Sequence, residues 1–162
     1  METVGIGDPV ACVAHNRAGC AAAEAAVKRG IVLIIEDHDA TRDVYAQLLR
    51  LLGYHVEEAS TGKAGVEKAR AVHPDLILMD IGLPEVSGWG AARVLRADPL
   101  TSDIALLAFS ASIDSSEALR SVDEGGSFDG FVMKPIPPSE LAQRIGGCIE
   151  ARRLVRAATA AA

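Results

Sequence analysis

The sequence predicts an α/β domain in which five strands alternate with five helices, a (βα)5 pattern wound on both faces of a parallel sheet. Short, nearly unbroken apolar runs recur along the chain. They are Ile31-Val32-Leu33-Ile34-Ile35, Leu76-Ile77-Leu78-Met79, Ala105-Leu106-Leu107-Ala108-Phe109 and Phe128 to Met133. Such runs are too short for helices and too continuous for strands with a wet face, so they read as strands buried on both sides. Each run also ends in a polar residue: Glu36-Asp37, Asp80, Ser110 and Lys134-Pro135. In a parallel sheet these ends share one edge, the edge where open α/β sheets place their ligands.

The elements follow in order. After the first strand, Asp39 is expected to cap a helix reaching about Leu52, with Val44, Leu48, Leu49, Leu51 and Leu52 as apolar positions and Gly53 as its stop. His55 to Ala59 reads as a short second strand. Thr61 caps a helix with Ala64, Val66, Ala69 and Val72 facing inward, stopped at His73-Pro74. The third strand ends in Asp80, and Ile81-Gly82-Leu83-Pro84 reads as a loop. A helix from about Ser87 to Ala97 follows, broken by Asp98-Pro99. The fourth strand ends at Ser110, and a helix is expected over Ser115 to Glu124. The fifth strand leads to Lys134-Pro135. Pro138-Ser139-Glu140 opens a last helix reaching about Arg153. Residues 1–29 read as an extension, flexible or partly helical, with an Ala-rich helical patch near Cys20 to Lys28. Residues 30–154 form the domain, and 155–162 read as a disordered tail.

Composition narrows the function. A chain of 162 residues is long enough to bury one real core. Its net charge of −6 argues against a broad electrostatic footprint for nucleic acid. Much of the 49% hydrophobic content is alanine, and no run approaches the roughly 20 residues of a membrane span. Val10 to Val27 imitates a signal peptide, but Glu2 and Asp8 precede it and His15-Asn16-Arg17 interrupts it, so a cytoplasmic location is expected. Cys12, Cys20 and Cys148 show no metal-ligand spacing and read as reduced thiols.

An aspartate after a strand is by itself often a turn or cap residue. The full set says more. Leu33-Ile34-Ile35-Glu36-Asp37, Leu76 through Pro84 with Asp80 inside it, Ser87-Gly88, Phe109-Ser110-Ala111 and Phe131-Val132-Met133-Lys134-Pro135 stand in one order at characteristic separations. Over about Ile31 to Arg153 the chain resembles the receiver domain of bacterial response regulators, the CheY-like superfamily. It is most similar to stand-alone receivers of the chemotaxis-regulator and DivK-like cell-cycle type. The resemblance implies a flavodoxin-like fold with strand order 2-1-3-4-5, which sets Glu36-Asp37 beside Asp80.

The resemblance also implies roles. Asp80 is the expected phosphoacceptor, taking a phosphoryl group from a sensor histidine kinase or histidine phosphotransfer protein. Carboxylate attack on phosphorus brings negative groups together, so a hard cation is needed, and Mg²⁺ prefers oxygen donors. Asp37 and Asp80 are the expected direct ligands, with the Gly82 backbone carbonyl, and Glu36 through water. Lys134 is expected to pair with a phosphoryl oxygen away from the metal, and Ser110 to hydrogen-bond another. Phe131 matches the family's switch aromatic. Trp89 is a surface helix residue or a fluorescence reporter of metal binding. No enzymatic activity is expected beyond self-phosphorylation and self-dephosphorylation. With no output module read after Arg153, the signal is expected to leave by protein contact. The expected surface is formed by the fourth predicted helix, the fifth strand and the fifth predicted helix, and binds a downstream target or a second copy of the chain. No nucleic acid or membrane is expected as a partner.

Departures and competitors sharpen these expectations. Gly82 and Ser112 are small, which should leave hydrolytic water unhindered. Gly125 to Gly130 is one residue longer than the usual segment, and residues 1–29 have no family counterpart. A phosphatase or dehalogenase with an aspartate nucleophile needs a second acid at position 82, which is glycine. A flavodoxin-type electron carrier needs a phosphate-cradling loop after the first strand, where Glu36-Asp37-His38-Asp39 would repel phosphate. A pseudo-receiver that never takes phosphate is the alternative, and the complete acidic set with Ser110 and Lys134 argues against it.

Overall fold

In a computed structural model of the chain, residues 29–111 and 127–161 are described. The elements are β1 (Ile31–Ile35), α1 (Asp39–Leu51), β2 (His55–Ala59), α2 (Gly62–Val72), β3 (Leu76–Asp80), α3 (Gly88–Ala97), β4 (Ala105–Ser110), β5 (Gly130–Met133) and α4 (Pro138–Ala160). The five strands form one parallel sheet in the order β2-β1-β3-β4-β5, the flavodoxin-like order that was expected. The helix expected over 115–124, Cys12, Cys20 and Ser112 lie outside the described residues.

Alternation across the pleat explains why the strand runs carry no polar residue. Leu33, Ile35, Ile77, Met79, Leu106 and Ala108 point to one face and pack against Val66, Ala69, Ala91, Ala92 and Leu95 of α2 and α3. Val32, Ile34, Leu76, Leu78, Leu107 and Phe109 point to the other and meet Ala46 and Leu49 of α1 and Leu141, Ile145 and Ile149 of α4. With both faces covered, one charged residue inside a central strand would be buried without a partner.

Several local expectations are corrected. The N-cap of α1 is His38, whose side chain accepts from the Thr41 amide, while Asp39 is the first helical residue and its carboxylate is taken by Arg42 at 2.6 Å. Within α1, Val44 and Leu51 are exposed, and Ala46 and Leu49 are the buried pair. Leucine content alone does not mark the inward stripe. Gly53, at φ +90°, stops the helix as expected, where a left-handed residue is needed. Thr61 caps α2 as expected, and Ser87, read as the start of its helix, is the N-cap of α3. β5 begins at Gly130 rather than Phe128, because Asp129 turns its carboxylate onto the Leu106 amide at 2.7 Å.

The last helix runs to Ala160, well beyond Arg153, so residues 155–160 are helical where a disordered tail was expected. Its overhanging turns are tied to the amino edge of the sheet by ion pairs. Arg152 meets Asp129 at 2.5 Å, Arg153 meets Asp75 at 3.3 Å, and Arg156 meets Asp103 at 2.8 Å. Alanine-rich sequence, a good helix former, does the rest.

Candidate functional site

The site lies on the carboxyl edge of the sheet, and register builds it. Ile35 pairs with Met79, so Glu36 and Asp37 leave β1 beside Asp80 at the end of β3. Asp80 pairs with Phe109, and Ser110 pairs with Met133, which puts Lys134 one residue past the edge. The strand-end residues Glu36, Asp37, Asp80, Ser110 and Lys134 are thus brought to one edge.

The three carboxylates converge. One oxygen from each of Glu36, Asp37 and Asp80 lies within 4.8 Å of the others, and burial grades from Glu36, which is buried, through half-buried Asp80 to exposed Asp37. The Lys134 ammonium faces them, hydrogen-bonded to Glu36 Oε2 and 3.3 Å from Asp80 Oδ2. Beneath it lies the Phe109 ring, whose centre is 4.5 Å from Nζ, and Tyr45 of α1 meets that ring edge-on at 4.5 Å. The Lys134 amide donates to the Ser110 carbonyl at 2.8 Å, and Ser110 is buried. The His38 amide donates to Glu36 Oε1 at 3.3 Å.

Burial pushes the Glu36 carboxyl above the ordinary carboxylate range. The Asp80 carboxylate adds to that push, while the Lys134 hydrogen bond and charge and the His38 amide oppose it. Counting charges, three carboxylates against one ammonium leave about two negative charges around a cluster of hard oxygens. That donor set suits a divalent cation such as Mg²⁺.

The loop after β3 is shaped by two glycines with different duties. Gly82 donates its amide to Asp80 Oδ1 at 3.1 Å, and a β-carbon there would meet nothing closer than that oxygen, at 3.8 Å. Gly88, at the start of α3, packs so closely on the Asp80–Ile81 backbone that a β-carbon would overlap the Asp80 carbonyl oxygen. Its amide donates to the Ile81 carbonyl at 3.1 Å. The helix N-terminus is thereby pressed against the strand end that carries Asp80.

Phe131 is half-buried and forms a three-ring cluster. Its ring centre is 5.9 Å from both Trp89 and Phe128, and Trp89 meets Phe128 edge-on at 5.1 Å. Trp89 is therefore packed against the core rather than a surface residue. Sequence reasoning missed Phe109 as the floor beneath Lys134, and it missed Arg42. An aromatic directly before the hydroxyl residue, and an arginine three residues after Asp39, were the available signals.

Comparison with known proteins agrees with this arrangement. Residues 32–146 match the family model for the response regulator receiver domain. Among curated proteins, the DNA-binding dual master transcriptional regulator RpaA of Synechocystis is 33% identical over 114 residues, covering 70% of this chain and 46% of that protein. The DNA-binding response regulator MtrA of Mycolicibacterium smegmatis is 30% identical over 114 residues, covering 70% of this chain and 48% of that one. The chain thus spans about half the length of the curated relatives it matches.

Among solved structures, a CheY-like receiver domain protein from Methanospirillum hungatei superposes with a TM-score of 0.69 at 25% identity, covering 76% of this chain and 95% of the other. The receiver domain of a sensor histidine kinase from Pseudomonas aeruginosa, crystallised with a magnesium ion in its active-site cleft, gives 0.68 at 27% identity, covering 75% and 98%. Strand order, edge chemistry and family match lead to one assignment: the chain belongs to the response regulator receiver domain family.

Proposed function

We propose that Asp80 accepts a phosphoryl group from a sensor histidine kinase or histidine phosphotransfer protein in a two-component or phosphorelay pathway. The observation that carries this reading is the meeting of Asp80 with Glu36, Asp37 and Lys134 at one sheet edge. An Asp80 oxygen attacks phosphorus, the bond to the donor histidine nitrogen breaks, and the imidazole leaves. Lys134, already 3.3 Å from Asp80, balances charge on a phosphoryl oxygen. Ser110, at the end of the neighbouring strand, offers its hydroxyl to another. Asp37 and Asp80, with Glu36 and the Gly82 carbonyl, are the residues that would hold Mg²⁺. When bound, the ion supplies charge neutralisation for the meeting of carboxylate and phosphate.

Donor access is supported by an open groove of about 460 Å³ beside Lys134, lined by Ala40, Thr41, Val44, Tyr45, Ala111 and Pro135. Exposed Val44 gives it an apolar wall. After transfer, the added charge biases the Ser110 loop and Phe131 between two arrangements, and the altered surface around β5 and α4 contacts a downstream protein or a second copy of the chain. The chain's own chemistry in this reading is gain and loss of phosphate on Asp80, not turnover of a separate substrate. No helix among the described residues is long and apolar enough to cross a membrane.

The test is incubation with a small phosphodonor and Mg²⁺, followed by intact mass measurement. One added phosphoryl group is expected, absent in Asp80→Asn and without Mg²⁺. A wild-type chain that stays unmodified at saturating donor would refute the reading.

A further inference from the structure

Two of the three clustered carboxylates ride on the short turn between β1 and α1, so whatever fixes that turn fixes the site. On the sheet side, the Glu36 amide donates to the Ala59 carbonyl at 3.1 Å. On the opposite side, the Glu36 carbonyl accepts from a side chain: Arg42 Nη1, at 2.9 Å. The same guanidinium donates through Nη2 to Asp39 Oδ1 at 2.6 Å, and its Nε faces Glu58 Oε2 at 3.5 Å. The Arg42 side chain is only 15% exposed. Glu58, on edge strand β2, is also held by Arg50 from the last turn of α1 at 2.6 Å. One planar fork therefore ties together the carboxylate-bearing turn, the first turn of α1 and the edge strand.

We infer that Arg42 is a positioning residue of the phosphoacceptor site, holding the Glu36–Asp37 turn so that both carboxylates face Asp80. The inference rests on reading Asp80 as a magnesium-assisted phosphoacceptor. Arg42 touches no carboxylate of the cluster; it acts through the Glu36 backbone. A lysine keeps the charge but lacks the fork that reaches several acceptors at once. Electrostatics and positioning predict opposite signs here. Removing a cation near an acidic cluster should tighten binding of Mg²⁺ by simple Coulomb attraction. Loosening the turn should weaken it, because partners that orient metal ligands are worth about tenfold or more in affinity.

The experiment is calorimetric titration of the full chain with magnesium chloride for wild type, Arg42→Ala, Arg42→Lys and Arg50→Ala. Amide hydrogen exchange at Glu36 and His38 is followed in metal-free samples. Arg42→Ala should weaken Mg²⁺ binding by about tenfold and Arg42→Lys by severalfold, with faster exchange at both amides. Arg50→Ala removes an equal charge from the same ladder without touching the turn, and should stay within about twofold of wild type. Unchanged or tighter binding in Arg42→Ala overturns the inference, as does an equal loss in Arg50→Ala. If Arg42→Ala does not fold, Arg42→Lys decides, and wild-type affinity there rejects the positioning role. Absence of Mg²⁺ uptake by the wild type would instead bring down the functional reading on which the inference stands.

Discussion

The ammonium of Lys134 stands 4.5 Å from the centre of the Phe109 ring, so the cation that faces Asp80 rests on an aromatic floor. A cation over a π face gains about 0.5–2 kcal/mol, more where water is excluded. Phe109 is itself fully buried and braced by Tyr45. Phe109→Leu should therefore cost about 1–3 kcal/mol of stability, part of it as a packing defect. It should also slow phosphorylation severalfold while leaving Asp80 the modified residue. Urea unfolding and a mass time course with a small phosphodonor measure the two effects. A variant phosphorylated at the wild-type rate would show that the ring does not help place Lys134.

Glu36 sets stability against metal binding. Burial raises its pKa, so ionising it costs the folded, metal-free chain. That cost is absent while the group is protonated and appears as pH rises through its raised pKa, so this stability contribution is lost on going from acid toward neutral pH. Glu36→Gln should melt higher than wild type at pH 7 without metal, by about 2–4 °C for each kcal/mol relieved. Near pH 4 the difference should shrink. With saturating Mg²⁺ the order should reverse, because the variant loses an anionic oxygen. Thermal melts at both pH values, with and without Mg²⁺, check this; parallel curves for the two proteins at every pH would reject it.

Gly88 and Gly82 flank Asp80 and should respond in opposite ways. A methyl group at Gly88 collides with the Asp80–Ile81 backbone, so Gly88→Ala should destabilise by about 1–3 kcal/mol. At Gly82 a β-carbon would make only ordinary contact with the Asp80 carboxylate oxygens, at 3.8 and 4.0 Å, so a side chain there should leave stability within about 0.5 kcal/mol of wild type. What is expected to change there is the lifetime of the phosphorylated form, because Gly82 lies beside the Asp80 carboxylate and a larger side chain would crowd the path of water approaching it. A larger residue added at position 112, which lies outside the described residues, should add to the effect. Equal dephosphorylation rates in wild type and the double variant would dismiss the idea that small residues leave that path open.

Arg96 is the knot beneath β4 and β5. Its guanidinium donates to the carbonyls of Ser127, Ser102 and Ile104 and to Asp129 Oδ2, at 3.0, 2.9, 2.7 and 2.7 Å. Burial holds its pKa below the usual arginine range, with Asp129 pulling the other way. Arg96→Met takes one donor from Asp129, which keeps Arg152 and the Leu106 amide, and removes a shared donor from three carbonyls, which should cost about 2–4 kcal/mol. Replacing Asp129 by asparagine as well should add to the loss rather than recover it, since Arg152 then loses its carboxylate partner. Chemical denaturation of the single and double variants checks the cycle.

The central architecture was legible because burial on both faces leaves no freedom: Leu76 to Met79 and Ile31 to Ile35 must be apolar throughout, and their polar ends must then share an edge. Asp80, Asp37, Glu36 and Lys134 were readable for that reason. Harder to see was a cap taken by an unusual residue. Aspartate is a preferred capping type and histidine is not, yet His38 caps α1 while the Asp39 carboxylate is held by Arg42. The last turns of α4 looked like frayed alanine because their arginines find aspartates far away in sequence, at positions 75, 103 and 129. Trp89 was likewise open between a surface position and a reporter of the metal site, because the rings it packs against, Phe128 and Phe131, come some forty residues later. Local pattern cannot report a partner supplied by the fold.

Those arginine ties have a mechanical consequence. The α4 helix begins four residues after Lys134 and, at 23 residues, is about 34 Å long. It is consequently a strut between the two rims of the sheet, beginning near the lysine that faces Asp80 and bolted to the strand origins at the far end. A tilt of that strut caused at the first rim is delivered to the second as a displacement, without any intervening loop having to rearrange.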